Sequence, residues 1–195
     1  MGRNKEFDTT LVLHKAMEVF GHYGYEGTSL KHLLDGLGIA RQSLYDTYGT
    51  KRDLFISALK HYVTAKSDSV ISYLANSDSV KQGITGVFHE GASILKDENR
   101  RKECFIIYSA FDRIPHDTEI AEFITMDLKR LERVFHETLV RGQSQGEISH
   151  RHELRALACY LNYARHSMTQ LAKITSDPKV LDDYVIVTLS SLDKE

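Results

Sequence analysis

Arg41, Gln42, Ser43, Tyr45 and Thr47 place five hydrogen-bonding side chains within seven consecutive residues. Arginine matches the paired acceptors of a guanine edge, and glutamine matches the donor and acceptor of an adenine edge. Ser, Thr and Tyr hydroxyls fit phosphates or base edges. Gly38 precedes them, and Leu33, Leu34, Ile39, Leu44 and Tyr48 supply apolar residues on either side. This spacing predicts two helices joined by a tight turn, with the second helix entering the DNA major groove. Thr28 and Lys51 stand at predicted helix starts, where backbone N–H groups and a cation can hold a phosphate. Tyr45 fits either a DNA contact or the head's own core. Lys51 and Arg52 fit either phosphate binding or plain surface charge.

Elements of helical period must carry this segment. Asp8 can cap a first helix, with Phe7 stapled to Val12 and with Leu13, Ala16, Met17 and Phe20 at helical spacing. The Gly21–Gly27 stretch closes that helix. Thr28 and Ser29 open a second, whose inner face is Leu30, Leu33, Leu34 and Leu37. Gly38 is the residue type for a turn with positive φ. A third helix runs from about Arg41 to Tyr48. Thr50 and Asp53 form a capping box for a long fourth helix, striped with Leu54, Phe55, Ala58, Leu59, Tyr62, Val63, Val70, Tyr73 and Leu74. Further helices are expected near residues 79–97, 103–114, 117–141, 152–173 and 178–192. Asp117 caps one of these after Pro115, and Pro178 opens the last. Val185-Ile186-Val187 is β-like in type but lies within a helical pattern. Gly142 and Gly146 bracket a turn. The fold class expected is all-α: residues 1–53 as a helix-turn-helix DNA-binding head, and residues 54–195 as a helical effector-binding and dimerisation body.

Composition agrees with one or two domains. The 195 residues are 42% hydrophobic and 27% charged, the balance of a globular chain with a sizeable core. The sequence does not open on a basic-then-apolar segment and has no apolar run long enough to span a membrane, so neither a signal segment nor a membrane span is expected. The two cysteines, Cys104 and Cys159, fit no metal or disulfide spacing, so a reducing cytoplasm is expected. The net charge is −2. Residues 1–55 hold seven Lys/Arg and seven Asp/Glu. DNA affinity therefore has to come from placed cations, with Arg41, Lys51 and Arg52 inside the reading segment.

Other chemistry is weakly represented. His89-Glu90 begins a zinc-protease motif, but no second histidine follows four places after His89. His150 and His152 are closely spaced without further ligands. Cys104, beside Arg100, Arg101 and Lys102, has either the setting of a low-pKa sensor thiol or that of a buried helical cysteine. No nucleophile–base–acid arrangement or phosphate loop is recognisable, and no metal or cofactor is expected.

The first fifty-odd residues resemble the TetR (tetracycline-repressor) family of bacterial transcription regulators. The matching features are Phe7, Ala16, Phe20, Gly24-Tyr25-Glu26-Gly27-Thr28-Ser29, Gly38-Ile39, Ser43-Leu44-Tyr45, Tyr48, and Lys51 through Leu54-Phe55. The resemblance implies an all-helical homodimer of about nine helices per subunit, a palindromic operator, and a body that binds a small molecule and releases the DNA. It implies base or phosphate contacts from Thr28, Arg41, Gln42, Ser43, Tyr45, Thr47 and Lys51. Two residues depart from the pattern. Ala40 stands where a capping Ser or Thr is usual, at a cost of roughly 0.5–2 kcal/mol. Asp46 puts an acid on the recognition helix, where it must point away, pair with a neighbour or accept from a cytosine amine.

For the body, Phe88, His89, Phe105, Tyr108, Phe123, Met126, Tyr160 and Tyr163 are expected on interior helix faces, lining an aromatic effector cavity. Phe111 and His166 are expected there too. Leu154, Leu157, Leu161, Leu181, Tyr184, Val185 and Leu189 are expected at a dimer interface, since in the resembling family the last two helices pair with their copies as a four-helix bundle. The function expected is a repressor that binds a palindromic operator as a homodimer and is released by a small-molecule effector, with no enzymatic activity. Two other readings stay open: a helical enzyme or ligand carrier whose helix-turn-helix corner does not read DNA, and a head that docks a partner protein.

Overall fold

The computed structural model describes residues 8–193. Among them are ten α-helices, one 3-10 turn and no strand. The helices are α1 (Thr9–Gly27), α2 (Leu30–Leu37), α3 (Arg41–Tyr48), α4 (Lys51–Ala75), α5 (Val80–Lys96), α6 (Arg101–Cys104), α7 (Ile106–Arg113), α8 (Thr118–Ser144), α9 (Leu154–Ile174) and α10 (Pro178–Ser190). The 3-10 turn, Ile114–His116, carries Pro115 between α7 and α8. The chain divides into two compact units. The first takes residues up to Val63 together with Lys102–Ala121; the second takes Thr64–Arg101 and the residues from Glu122 onward.

The first unit is built around α1. Asp8 caps it, its Oδ1 accepting from Thr10 N at 2.9 Å and Leu11 N at 3.2 Å. Phe7, the other half of the expected staple, lies outside the described residues. Val12, Ala16, Met17 and Phe20 are buried, as a 3.6-residue period requires. α1 kinks at Gly24 (φ 71°, ψ 168°), so the helix ends in two stages rather than one. Ser29 caps α2 through a box with His32: Ser29 Oγ accepts from His32 N at 3.1 Å, and Ser29 N donates to His32 Nδ1 at 3.3 Å. Gly38 ends α2 at φ 68°, ψ 29°, the left-handed conformation that its residue type predicts.

α6 and α7 correspond to the single helix expected over 103–114. The ladder breaks because Phe105 N donates back to Lys102 O at 3.4 Å, three residues away rather than four. That carbonyl lies against Gly21: a Cβ on Gly21 would sit 2.7 Å from Lys102 O and 3.2 Å from Ile106 N. Ser109 Oγ then donates to Phe20 O at 2.9 Å, in the buried contact between α7 and α1. Gly21→Ala is therefore expected to destabilise the protein by about 1–3 kcal/mol, because both crowding atoms are backbone and cannot swing aside. Gly27→Ala, where only Tyr23 Cβ comes within 3.9 Å, should be neutral or slightly stabilising. Chemical denaturation of the pair checks both.

In the second unit, Leu74, Ile84, Phe88, Leu131, Phe135, Leu161 and Met168 are buried with Leu181 and Val185 of α10. Ser79 caps α5, and Glu147 ties the turn after α8 to it by accepting from Ser79 Oγ at 2.7 Å and Lys81 N at 2.9 Å. The β-like run Val185–Val187 is helical within α10, which Asp177 caps and Pro178 opens. The helical pattern of its neighbours decides this, since strand propensity is a weak prior.

Candidate nucleic-acid interface

α3 is short and anchored from within. Leu44 is 1% exposed, and the Tyr48 hydroxyl donates to Thr9 O at 3.0 Å. Ala40 holds the N-cap position with no side-chain hydrogen bond, so the first-turn N–H groups of α3 are left uncapped by protein. Arg41, Gln42, Tyr45, Asp46 and Thr47 are exposed, and Ser43 is half-buried. Tyr45 thus stands on the outer face rather than in the core. The Arg41 guanidinium lies 5.7 Å from the Tyr45 ring centre. Arg41 is exposed, and among the described residues no carboxylate pairs with it. Asp46 is not aimed at solvent alone: its Oδ1 accepts from Gln42 Nε2 at 2.7 Å, one helical turn away.

The residues expected to hold phosphate are placed differently from one another. Thr28 is 2% exposed, and its hydroxyl donates to Gly24 O at 2.6 Å. It pins the kinked end of α1 and presents no side chain outward. Lys51 is half-buried at the first turn of α4, whose capping box is formed by Thr50 and Asp53 as the spacing predicts. Its ammonium lies 4.5 Å from the Tyr25 ring centre. Burial lowers the Lys51 pKa, opposed by nearby Glu26. Arg113 lies against the same ring at 4.8 Å and reaches Glu26 at 2.7 Å.

Arg52 is not a free cation. Its Nε donates to Asp117 Oδ2 at 2.7 Å, and its Nη2 to Asp117 Oδ1 at 2.9 Å and Glu119 Oε2 at 3.0 Å. Glu119 is shared with Lys60. With Nε and Nη2 engaged by carboxylates, that edge of the guanidinium fork is not open to a phosphate. Asp117 also accepts from Ile120 N, so one carboxylate caps α8 and holds α4. The Arg52 hydrogen bonds keep the Asp117 carboxyl below its usual range. The stabilisation it provides is thus present above the ordinary carboxylate pKa and is lost as pH falls below about 4. Asp117→Asn is expected to melt at a lower temperature than the parent at pH 7, with the gap narrowing as the pH falls below the ordinary carboxylate range; parallel thermal melts check this. None of the Arg52, Arg113 and Tyr25 arrangement is readable locally, since its members lie far apart along the chain.

The residues expected to line an effector cavity do not share one environment. Phe105 and Tyr108 are half-buried in the first unit. In the second, Phe88 is fully buried and Phe123 half-buried, whereas His89 is exposed, as are Met126 (70%), Tyr160 (43%) and Tyr163 (52%). The last four are on outer faces of the chain, not interior ones. The interior of this unit instead holds polar groups. Ser67 Oγ donates to Asp127 Oδ2 at 2.9 Å, and Asn162 Nδ2 to Leu128 O at 2.9 Å. Burial raises the Asp127 carboxyl and pushes the His166 imidazole to about 3, with Arg165 adding to the latter. An open surface cleft of about 460 Å³ lies beside Ser69, Ser72, Tyr73, Asn76 and Ser77.

The expected dimer residues also divide. Leu157, Leu161, Leu181 and Val185 are buried within the chain, while Leu154, Tyr184 and Leu189 are half-buried. The leucine stripe legible in the sequence is the inward stripe. The outward apolar residues of the same helices are Tyr160, Tyr163 and Ile174 on α9, and Ile186 and Val187 on α10. Among the described residues no cluster of His, Cys, Asp and Glu could hold a metal ion, and no helix is long and apolar enough to cross a membrane.

The family model for bacterial regulatory proteins of the tetR family matches residues 12–58, which contain α2, the Gly38 turn and α3. A Bacillus subtilis (strain 168) protein named as the uncharacterized HTH-type transcriptional regulator YezE is 55% identical over 194 residues, 99% of this chain and 100% of its own length. The HTH-type transcriptional repressor ComR of Escherichia coli (strain K12) is 29% identical over 175 residues, 88% of this chain and 82% of its own. A solved structure of the TetR family transcriptional regulator CifR, a cysteine mutant complexed with 26 bp double-strand operator DNA, is similar with a TM-score of 0.84. It is 25% identical and covers 98% of this chain and 100% of its own. With the anchored α3, the Gly38 turn and the full-length likeness to YezE in place, the chain belongs to the TetR family of DNA-binding, helix-turn-helix transcriptional regulators.

Proposed function

We propose that this regulator is a repressor that binds a palindromic operator as a homodimer through α3 of each subunit, and that a small-molecule effector releases it. The observation that carries the reading is the outward face of α3, where Arg41, Gln42, Tyr45 and Asp46 stand exposed on a helix fixed by Leu44 and Tyr48. The naming of ComR as a repressor and the operator complex of CifR support it. Residues 1–53 serve as the reader and residues 54–195 as the effector-binding and dimerising part. Lys51 holds a backbone phosphate, and Ser43 and Thr47 flank the base-reading pair. For the dimer contact we take the outward residues Tyr160, Tyr163, Ile186 and Val187 with the half-buried Leu154, Tyr184 and Leu189. An effector preferring the released state lowers operator affinity by linkage. The protein acts in the cytoplasm, where its DNA is.

Selection of bound duplexes from a random pool tests the reading directly. A palindrome should emerge, with half-sites one helical turn or a multiple apart. Binding to it should weaken steeply with salt as counterions are released. An unenriched pool, or a monomer by ultracentrifugation at micromolar concentration, would overturn it.

A further inference from the structure

An acid on the face that meets a polyanion needs an explanation, and its hydrogen bond supplies one. Gln42 and Asp46 are both exposed, one turn apart on α3, and Gln42 Nε2 donates to Asp46 Oδ1 at 2.7 Å. An ionised carboxylate only accepts hydrogen bonds. The Gln42 amide must therefore turn its NH2 end toward Asp46, and the end-for-end flip open to an unattended glutamine is closed. One N–H and the carbonyl Oε1 remain for an outside partner. A donor beside an acceptor complements adenine, which presents N7 and the N6 amine in the major groove. Guanine presents two acceptors there, cytosine a lone donor, and thymine a lone acceptor with a methyl group. None of these three satisfies both groups.

We propose that Asp46 is a positioning residue for base readout: it fixes the polarity of the Gln42 amide and so commits each head to adenine at one base pair of its half-site. The proposal rests on DNA reading by α3. The carboxylate also repels phosphate, which lowers affinity for DNA of any sequence. Asp46 therefore acts in two opposed ways, weakening general binding while sharpening discrimination. A residue serving only the stability of α3 has no such split effect. Arg41, whose guanidinium lies by Tyr45 rather than by Asp46, reads independently of this device.

The experiment is random-pool selection with the full-length parent, Gln42→Ala, Asp46→Asn and Arg41→Ala. Asparagine keeps the shape of Asp46 but can donate as well as accept, so it releases Gln42 to flip. In the parent, one position should favour adenine by about tenfold or more, the discrimination of a good bidentate pair. Gln42→Ala and Asp46→Asn should both flatten that same position to about threefold or less. Arg41→Ala should flatten a different one. Asp46→Asn should also bind a scrambled duplex more tightly than the parent does, with an unchanged melting temperature. Parental base frequencies retained by Asp46→Asn, or flattening at a position other than the one Gln42→Ala affects, would overturn the proposal. A parent that enriches no sequence overturns instead the reading of DNA by α3, and the positioning role with it.

Discussion

Replacing Arg41 and Gln42 together by alanine is expected to remove sequence-specific binding while leaving non-specific binding largely in place. Each bidentate contact to a base edge is worth about 1–3 kcal/mol, so losing both costs each head about 2–6 kcal/mol. The two side chains are exposed, and the helix beneath them is held by Leu44 and by the Tyr48 hydroxyl on Thr9 O. The fold should therefore survive the change. Fluorescence anisotropy on the selected palindrome and on a scrambled duplex separates the outcomes. The double variant should bind both with the affinity the parent shows for the scrambled one. Specific affinity that persists would remove these side chains as readers. The contrast is Arg52, equally basic and eleven residues from Arg41, whose Nε and Nη2 donate to Asp117 and Glu119. Its replacement should affect stability before sequence preference.

The largest effect on stability is expected from Phe55→Ala. Phe55 is fully buried, edge-on to Phe20 at 5.0 Å and to Tyr25 at 5.0 Å. Truncating a buried phenylalanine costs about 3–5 kcal/mol, because the lost transfer energy is joined by the cavity left behind. The consequence reaches the first turn of α4, where Lys51 is proposed to hold a phosphate. Phe55 lies one turn after Lys51 and packs on the Tyr25 ring that the Lys51 ammonium faces. Loosening that ring should reduce DNA affinity as well as the denaturation midpoint, where a purely local core loss would lower the midpoint alone. Denaturant unfolding and anisotropy on one preparation check both. Phe55→Leu, which refills much of the volume, should recover most of each.

Local elements were legible wherever the cause is local. Asp8, Ser29, the Thr50–Asp53 pair, Asp117 and Pro178 begin helices as their residue types predict, and Gly38 takes the positive φ that its place in the turn requires. Each depends on atoms within four residues. The α6–α7 break was not legible, because it arises where Lys102 O meets Gly21, eighty-one positions earlier in the chain. Period alone also could not tell which apolar stripe of α9 and α10 the chain keeps for its own core. Leu157, Leu161, Leu181 and Val185 turned out to be that stripe, and Tyr160, Tyr163, Ile186 and Val187 the outward one.

By itself the sequence determined an all-helical chain with a helix-turn-helix over residues 30–48, and the side chains its second helix can offer to DNA. Helical period and capping act over one or two turns, and the amino-acid types state them outright. Only the three-dimensional structure decided which polar side chains in and around that segment are at liberty. Thr28 looked like a phosphate ligand and is closed on Gly24 O; Arg52 looked like a DNA cation and is held by Asp117 and Glu119. Asp46 looked like an obstacle and is a hydrogen-bond partner of Gln42. Thr28 and Asp46 are met by groups four residues away, through the side-chain conformations their helices allow, whereas the partners of Arg52 lie 65 and 67 residues along the chain. A polar side chain's availability depends on whether another group has already satisfied it, and that group's position is set by how the helices and side chains come to rest in three dimensions.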